Sequence, residues 1–136
     1  MKALTSITLL LIIFGNSVAQ SIRVVHDRQG YMSGIADMNA YERKDWTCKL
    51  ESARVTLTKI NYLDDTDTMI GLTVQLANSR RFSVVIGDEL EGLSNEADKS
   101  SLESFLAKGR RYKISYFRCG AGGHSDLMLA SIYSVK

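Results

Sequence analysis

The chain has no proline in 136 residues, and only two cysteines, two histidines and one tryptophan. Without proline there is no X–Pro bond whose slow isomerisation could limit folding. The long connection from Asp88 to Asp98 also lacks a rigid spacer, and Gly92 and Asn95 mark it as a loop. With His26 and His124 as the only imidazoles and no Gly-x-Ser-x-Gly elbow, the inventory for a nucleophile, a base and a group to orient the base is thin. The contiguous His124-Ser125-Asp126 reads as a polar hairpin loop, because neighbours on a turn rarely point at one another. Excess charge of one sign is missing as well. With 17 Lys and Arg against 15 Asp and Glu, the net charge of +2 argues against a nucleic-acid footprint. The basic pairs Arg80-Arg81 and Arg110-Arg111 each open a predicted strand, where solvated charge is ordinary. After residue 19 no apolar run approaches the ~20 residues of a membrane-spanning helix, so no membrane insertion is expected.

What is present begins at the amino terminus. Lys2 supplies a positive charge, Leu9 to Phe14 form an apolar core, and Ser17-Val18-Ala19 places small residues where a signal peptidase reads. Residues 1–19 therefore read as a cleavable export signal, and no cysteine follows it to carry a lipid. The mature protein is expected to be secreted or periplasmic. Taking 19 residues from 136 leaves 117, the size of one domain. In an oxidising compartment Cys48 and Cys119 are expected to pair, because there are only two. They enclose about 70 residues, for which loop entropy assigns about 4 kcal/mol. Two free or metal-bound thiols are the alternative, and no C-x-x-C spacing supports it.

From Ser52 onward, period-2 alternation dominates. Val55 and Leu57 share a face of a first strand running to about Tyr62. Leu72, Val74 and Leu76 mark a second, and Phe82, Val84 and Ile86 a third. Asp64-Asp65-Thr66-Asp67 and Asn78-Ser79-Arg80 are the turns between them, giving a meander. The period then changes. Ser100 with Glu103 fits a capping box, Leu102, Phe105 and Leu106 form a stripe, and Gly109 stops a short helix. Tyr112, Ile114 and Tyr116 alternate in a fourth strand. In a fifth, Met128, Ala130 and Ile132 oppose Leu129 and Tyr133. Three strands, a helix and two strands is the element order of an OB-fold, a five-stranded Greek-key barrel. The division expected is a signal peptide (1–19), an N-terminal extension (20–47) and an OB-fold-like domain (48–136), mainly β with one short helix. Within the extension, Ile22 to Val25 suggest a strand, and Ile35, Met38 and Tyr41 a helical turn or two.

Clustered carboxylates at Asp64, Asp65 and Asp67 invite a calcium reading, which the spacing refuses. An EF-hand loop opened at Asp65 needs glycine where Ile70 stands and glutamate where Leu76 stands. Gly120-Ala121-Gly122-Gly123 follows a strand but opens no helix, so it lacks the amides of a phosphate cradle. No metal and no cofactor are expected. Trp46 and six tyrosines are candidates for burial or for stacking on sugar rings; Tyr112 and Tyr116, sharing a face with Ile114, are assigned to the core or an interface.

These pieces resemble a family, the exported OB-fold B subunits of bacterial AB5 toxins, above all the Shiga-toxin type, over about residues 48–136. The resemblance is carried by Cys48 before the first strand, Thr58-Lys59 within it and the acidic hairpin of Asp64, Asp65 and Asp67. It continues with a short helix ending in glycine, a strand ending in Cys119, the turn of Gly120, Gly122 and Gly123, and an apolar last strand. The chain departs from the family in lacking a tryptophan before the helix and in its longer extension ahead of Cys48. The resemblance implies bridged cysteines, a ring of five subunits, an enzymatic A chain as partner and binding of cell-surface glycans. It also implies that Asp64, Asp65, Gly122 and Gly123 form one exposed binding patch. The function expected is thus a non-catalytic exported binding protein. The alternative is a secreted or periplasmic inhibitor or accessory protein acting through a loop or a strand edge.

Overall fold

The structure is a computed structural model and describes residues 22–39, 48–86, 96–119 and 126–136. The expected export signal, Trp46, Gly122, Gly123 and His124 fall outside the described residues. The elements in order are β1 (Arg23–His26), β2 (Met32–Ala36), β3 (Cys48–Tyr62), β4 (Met69–Gln75), β5 (Arg81–Val85), α1 (Glu96–Phe105), β6 (Arg111–Cys119) and β7 (Asp126–Ser134).

Strands β3 to β7 close on themselves in the order β7-β5-β4-β3-β6 and back to β7. All neighbours are antiparallel except β5 and β7. This is the five-stranded OB-fold-like barrel expected from the alternation, with the helix between its third and fourth strands. The long β3 makes closure possible, because its first half pairs with β6 and its second half with β4. Leu57, Leu72, Val74, Val84, Tyr112, Ile114, Leu129 and Ile132 fill the interior, each almost wholly removed from water. Phe105 and Leu106 at the end of α1 join the same core. Gly71 is required where it stands, since a Cβ there would lie 2.7 Å from the Val84 carbonyl oxygen on β5.

Three expectations are corrected. The segment of Ile35 and Met38 is not a helical turn. Ile35 lies in β2, which pairs with β7 (Gly34 opposite Tyr133) and with β1, so strand pairing overrides the helical spacing. Both side chains reach the core nonetheless, because Asp37 and Asn39 take the left-handed conformation and turn the chain back. Tyr41 lies outside the described residues. Second, Ser100 does not cap the helix, which starts at Glu96 and so has Ser100 in its interior and Asp98 in its first turn, where an acid favours the helix dipole. Third, the faces of β7 do not simply alternate. The register slips by one residue between Ser115 and Tyr116, leaving Ala130 as the extra residue of a β-bulge, so Leu129 and Ile132 both point inward. The Met38 N–H donates to the Ala130 carbonyl (3.0 Å) and the Asn39 side chain to the Leu129 carbonyl (2.7 Å), taking up acceptors beside the bulge.

The helix end is closed by side chains. The Tyr112 hydroxyl donates to the Phe105 carbonyl and accepts from the Ala107 N–H (3.0 Å), while Arg110 Nη1 donates to the carbonyls of Ser104 (3.1 Å) and Phe105 (3.2 Å). Gly109, at φ +85°, then returns the chain, its N–H donating to Leu57 O (2.8 Å).

Candidate functional site

Register shows how the residues of interest are distributed about the barrel. Asn61, Gly71, Val85, Met128 and Phe117 form a row across β3, β4, β5, β7 and β6. On one side of that row lies the β3–β4 turn with Asp64, Asp65 and Asp67. On the other side lie the facing strand ends Cys119 and Asp126, between which Gly122 and Gly123 stand in the sequence, so the register does not bring the two parts of the expected patch together. The two glycines themselves are outside the described residues.

The acidic turn is held by its own hydrogen bonds. Leu63 N donates to Thr68 O (2.8 Å), and both the amide (3.0 Å) and the hydroxyl (2.8 Å) of Thr66 donate to Leu63 O. Asp65 sits at φ +58°, a left-handed conformation that aspartate tolerates better than most residues. Because the backbone supplies the order, the carboxylates of Asp64, Asp65 and Asp67 carry no hydrogen bond or ion pair among the described residues, and all three are exposed. Beside them lies an apolar flank that the alternation did not signal. Tyr62 is 49 % exposed and Leu63 52 %, and Ile70 and Val85 are exposed at 40 % and 45 %. Tyr62 and Leu63 lie past the last inward-facing pair of the hairpin, Ile60 opposite Leu72, so no core covers them. Among the described residues no three imidazoles, thiols or carboxylates converge closely enough to share a metal ion.

Cys48 and Cys119 are bonded, directly opposite one another on β3 and β6 with 4.2 Å between their Cα atoms. They pack on the outer face of the barrel with Phe117, Met128 and Ala130. At this same end Glu51 meets Arg118 through two parallel bonds, Nε to Oε1 (3.1 Å) and Nη2 to Oε2 (3.0 Å), the bidentate geometry of a strong pair. The Arg118 guanidinium holds the Glu51 carboxyl below the usual carboxylate range, and burial, then Glu51, pushes the Tyr116 phenol up. Since Glu51 titrates lower in the folded than in the unfolded chain, its contribution is complete above the ordinary carboxylate range and vanishes as pH falls through the lowered value. Thermal midpoints of the parent and of Glu51→Gln, measured from pH 7 to pH 3, should therefore differ modestly at neutrality and converge in acid. A gap that stays constant with pH would show that the pair contributes nothing by its charge.

The described histidine bonds an acid: His26 Nε2 lies 3.1 Å from Asp98 Oδ1, tying β1 to α1. No described hydroxyl bonds the ring. Next to it a cleft of about 650 Å³ opens between the β1–β2 turn, α1 and the carboxyl end, lined among others by Tyr31, Ser100, Ser101, Ser104, Arg110 and Lys136. Sequence reasoning missed it; the available signal was the Ser100-Ser104 spacing, which puts both hydroxyls on one helix face. Asp27 at its rim is engaged in its own turn, accepting from Gln29 N (2.9 Å) and Tyr31 N (3.0 Å).

Among the described residues no helix is long and apolar enough to cross a membrane. Compared with known proteins, the chain matches no family model, no curated protein and no solved structure.

Proposed function

We propose that the protein is an exported, non-catalytic binding module similar to the B subunits of AB5 toxins, and that the acidic end of its barrel binds a cell-surface glycan. One observation carries the reading: carboxylates without partners among the described residues stand beside exposed apolar and aromatic surface at a single hairpin. Asp64 and Asp65 suit vicinal hydroxyls because each carboxylate accepts two hydrogen bonds, and Tyr62 and Leu63 suit the C–H face of a sugar ring. Gly122 and Gly123 are included on the resemblance alone, since a residue without a side chain lets a sugar approach the backbone. Assembly into a homopentamer and pairing with an enzymatic A chain complete the proposal. The disulfide and the export signal support a destination outside the cytoplasm.

The test is Asp64→Asn with Asp65→Asn on a broad glycan array. Asparagine keeps the left-handed conformation at position 65, whereas alanine there would be strained. The double variant should lose at least about tenfold in affinity, the size of a lost charged hydrogen bond, with an unchanged thermal midpoint. Binding equal to the parent, or no glycan bound by the parent, overturns the reading.

A second reading, an inhibitor or accessory protein, is favoured by β1, which pairs only with β2 among the described strands and so presents an open edge for strand addition. Native mass separates the two: a ring of five supports the first, a monomer the second.

A further inference from the structure

The outer face of the barrel, midway along β3 and away from the acidic turn, carries an arrangement that costs the fold stability. Arg54 on β3 stands directly opposite Lys113 on β6, and Arg111 follows two residues before it, opposite Thr56. Like charges facing each other across neighbouring strands repel, and strands lie only about 4.8 Å apart. The row continues through Gln75 to Arg81, whose Nε donates to Gln75 Oε1 (2.9 Å). Arg54, Arg111 and Lys113 form no ion pair or hydrogen bond among the described residues. Several of the described carboxylates are engaged elsewhere. Asp37 holds Arg23, Glu51 holds Arg118, and Asp98 holds His26, while Asp64, Asp65 and Asp67 are at the far end of the hairpin.

The cations are set in relief rather than on a flat sheet. A cleft of about 390 Å³ is lined by Arg54, Thr56, Gln75 and Arg111, and its Val135 also lines the larger cleft to which Arg110 and Lys136 contribute. The two clefts thus adjoin at Val135, with cations in both and hydroxyl and amide groups between the charges. A single exposed ring, Tyr31, lies along them, not the series of rings on which successive bases stack. The exposed apolar side chains that could enter a lipid surface, Leu50, Tyr62, Leu63, Ile70 and Val85, stand on other parts of the barrel.

We propose that this basic face is a second binding surface, for a sulfated polysaccharide. It is independent of the glycan reading of the acidic hairpin. A sulfated chain supplies the missing countercharge at several points at once, and its free hydroxyls match Thr56 and Gln75.

The experiment titrates the full chain with a heparin octasaccharide at 50, 150 and 300 mM NaCl. Affinity should fall steeply with salt, and a fully desulfated octasaccharide should bind at least about tenfold more weakly, as counterion release requires. Arg54→Gln with Lys113→Gln should lower affinity about tenfold and reduce the log–log salt slope by about two, one for each cation removed. Its thermal midpoint should equal or exceed the parent's, because the repulsion is gone. Arg111→Gln serves as an independent variant, with a slope reduced by about one. Asp64→Asn with Asp65→Asn should leave heparin binding intact, which separates this surface from the hairpin. No binding at 50 mM salt, unchanged binding by both basic-face variants, or tighter binding of single-stranded DNA of equal charge than of heparin would each overturn the proposal.

Discussion

Replacing Cys48 and Cys119 together by alanine is expected to lower the unfolding free energy by about 4 kcal/mol. The bond joins residues 71 apart in sequence, so its main effect is to forbid the extended conformations of the unfolded chain. In the folded state the two cysteines are already cross-strand neighbours, and the β3–β6 ladder that continues from them to Thr56 and Arg111 does not depend on the bond. The variant should therefore keep its fold and lose stability. Alanine is the replacement of choice because Cys119 is buried against Phe117 and Ala130, where a serine hydroxyl would lack water. Since small domains are stable by only ~5–15 kcal/mol, the loss is large, and it should lower the thermal midpoint by roughly 15 °C. Urea unfolding of parent and variant measures it, and mass spectrometry of non-reduced peptides identifies the link. Two alkylatable thiols in the parent, or coincident unfolding curves, would refute the expectation.

Tyr112→Phe should cost about 2 kcal/mol, a large penalty for one oxygen atom. That oxygen serves two backbone groups, the Phe105 carbonyl and the Ala107 N–H, where α1 ends against the barrel. Phenylalanine keeps the ring and its edge-to-face contact with Phe105, at 5.4 Å between centroids, so packing is unchanged. What is lost is the satisfaction of a buried helix end, and an orphaned buried group costs about 1–3 kcal/mol. Arg110 still reaches the Phe105 carbonyl and offsets part of the loss, whereas the Ala107 N–H has no substitute partner. Equilibrium unfolding in urea should show a lower midpoint with an unchanged slope. A difference below about 0.5 kcal/mol would mean that water replaces the hydroxyl freely.

The barrel was legible in the sequence because its strands have one face in oil and one in water. Val55 and Leu57, Leu72 and Val74, and Tyr112 and Ile114 alternate as the pleat demands, and turn residues separate them. Where the alternation failed, a non-local interaction had intervened. Ile35 has the spacing of a helix but is held by Tyr133 and Ile132, nearly a hundred residues away. Ala130 spoils the period of β7 through a bulge whose carbonyls are claimed by the turn at Met38 and Asn39. The candidate site was half legible. Acid clustering identified Asp64 and Asp65, but the exposure of Tyr62 and Leu63 follows from where the inward pairing stops. The cationic row was hidden for a similar reason. Arg54, Arg81, Arg111 and Lys113 come from three separate stretches of chain, and only strand register makes them neighbours.

The barrel is sewn unevenly. Along β3–β6 the stitching runs from Cys48 and Cys119 to Thr56 and Arg111, with a covalent knot at one end, whereas β5 meets β7 at the single aligned pair of Val85 and Met128. Local opening takes the path that breaks fewest backbone bonds, so the cylinder should breathe along β5–β7 while its opposite wall stays shut. The slit would start at Val85, beside the acidic hairpin, and leave the β3–β6 wall, with Arg54 and Lys113, undisturbed. A ligand gripping the hairpin end would thus clasp the protein across its weakest line, and one lying on the basic face would rest on its most rigid wall.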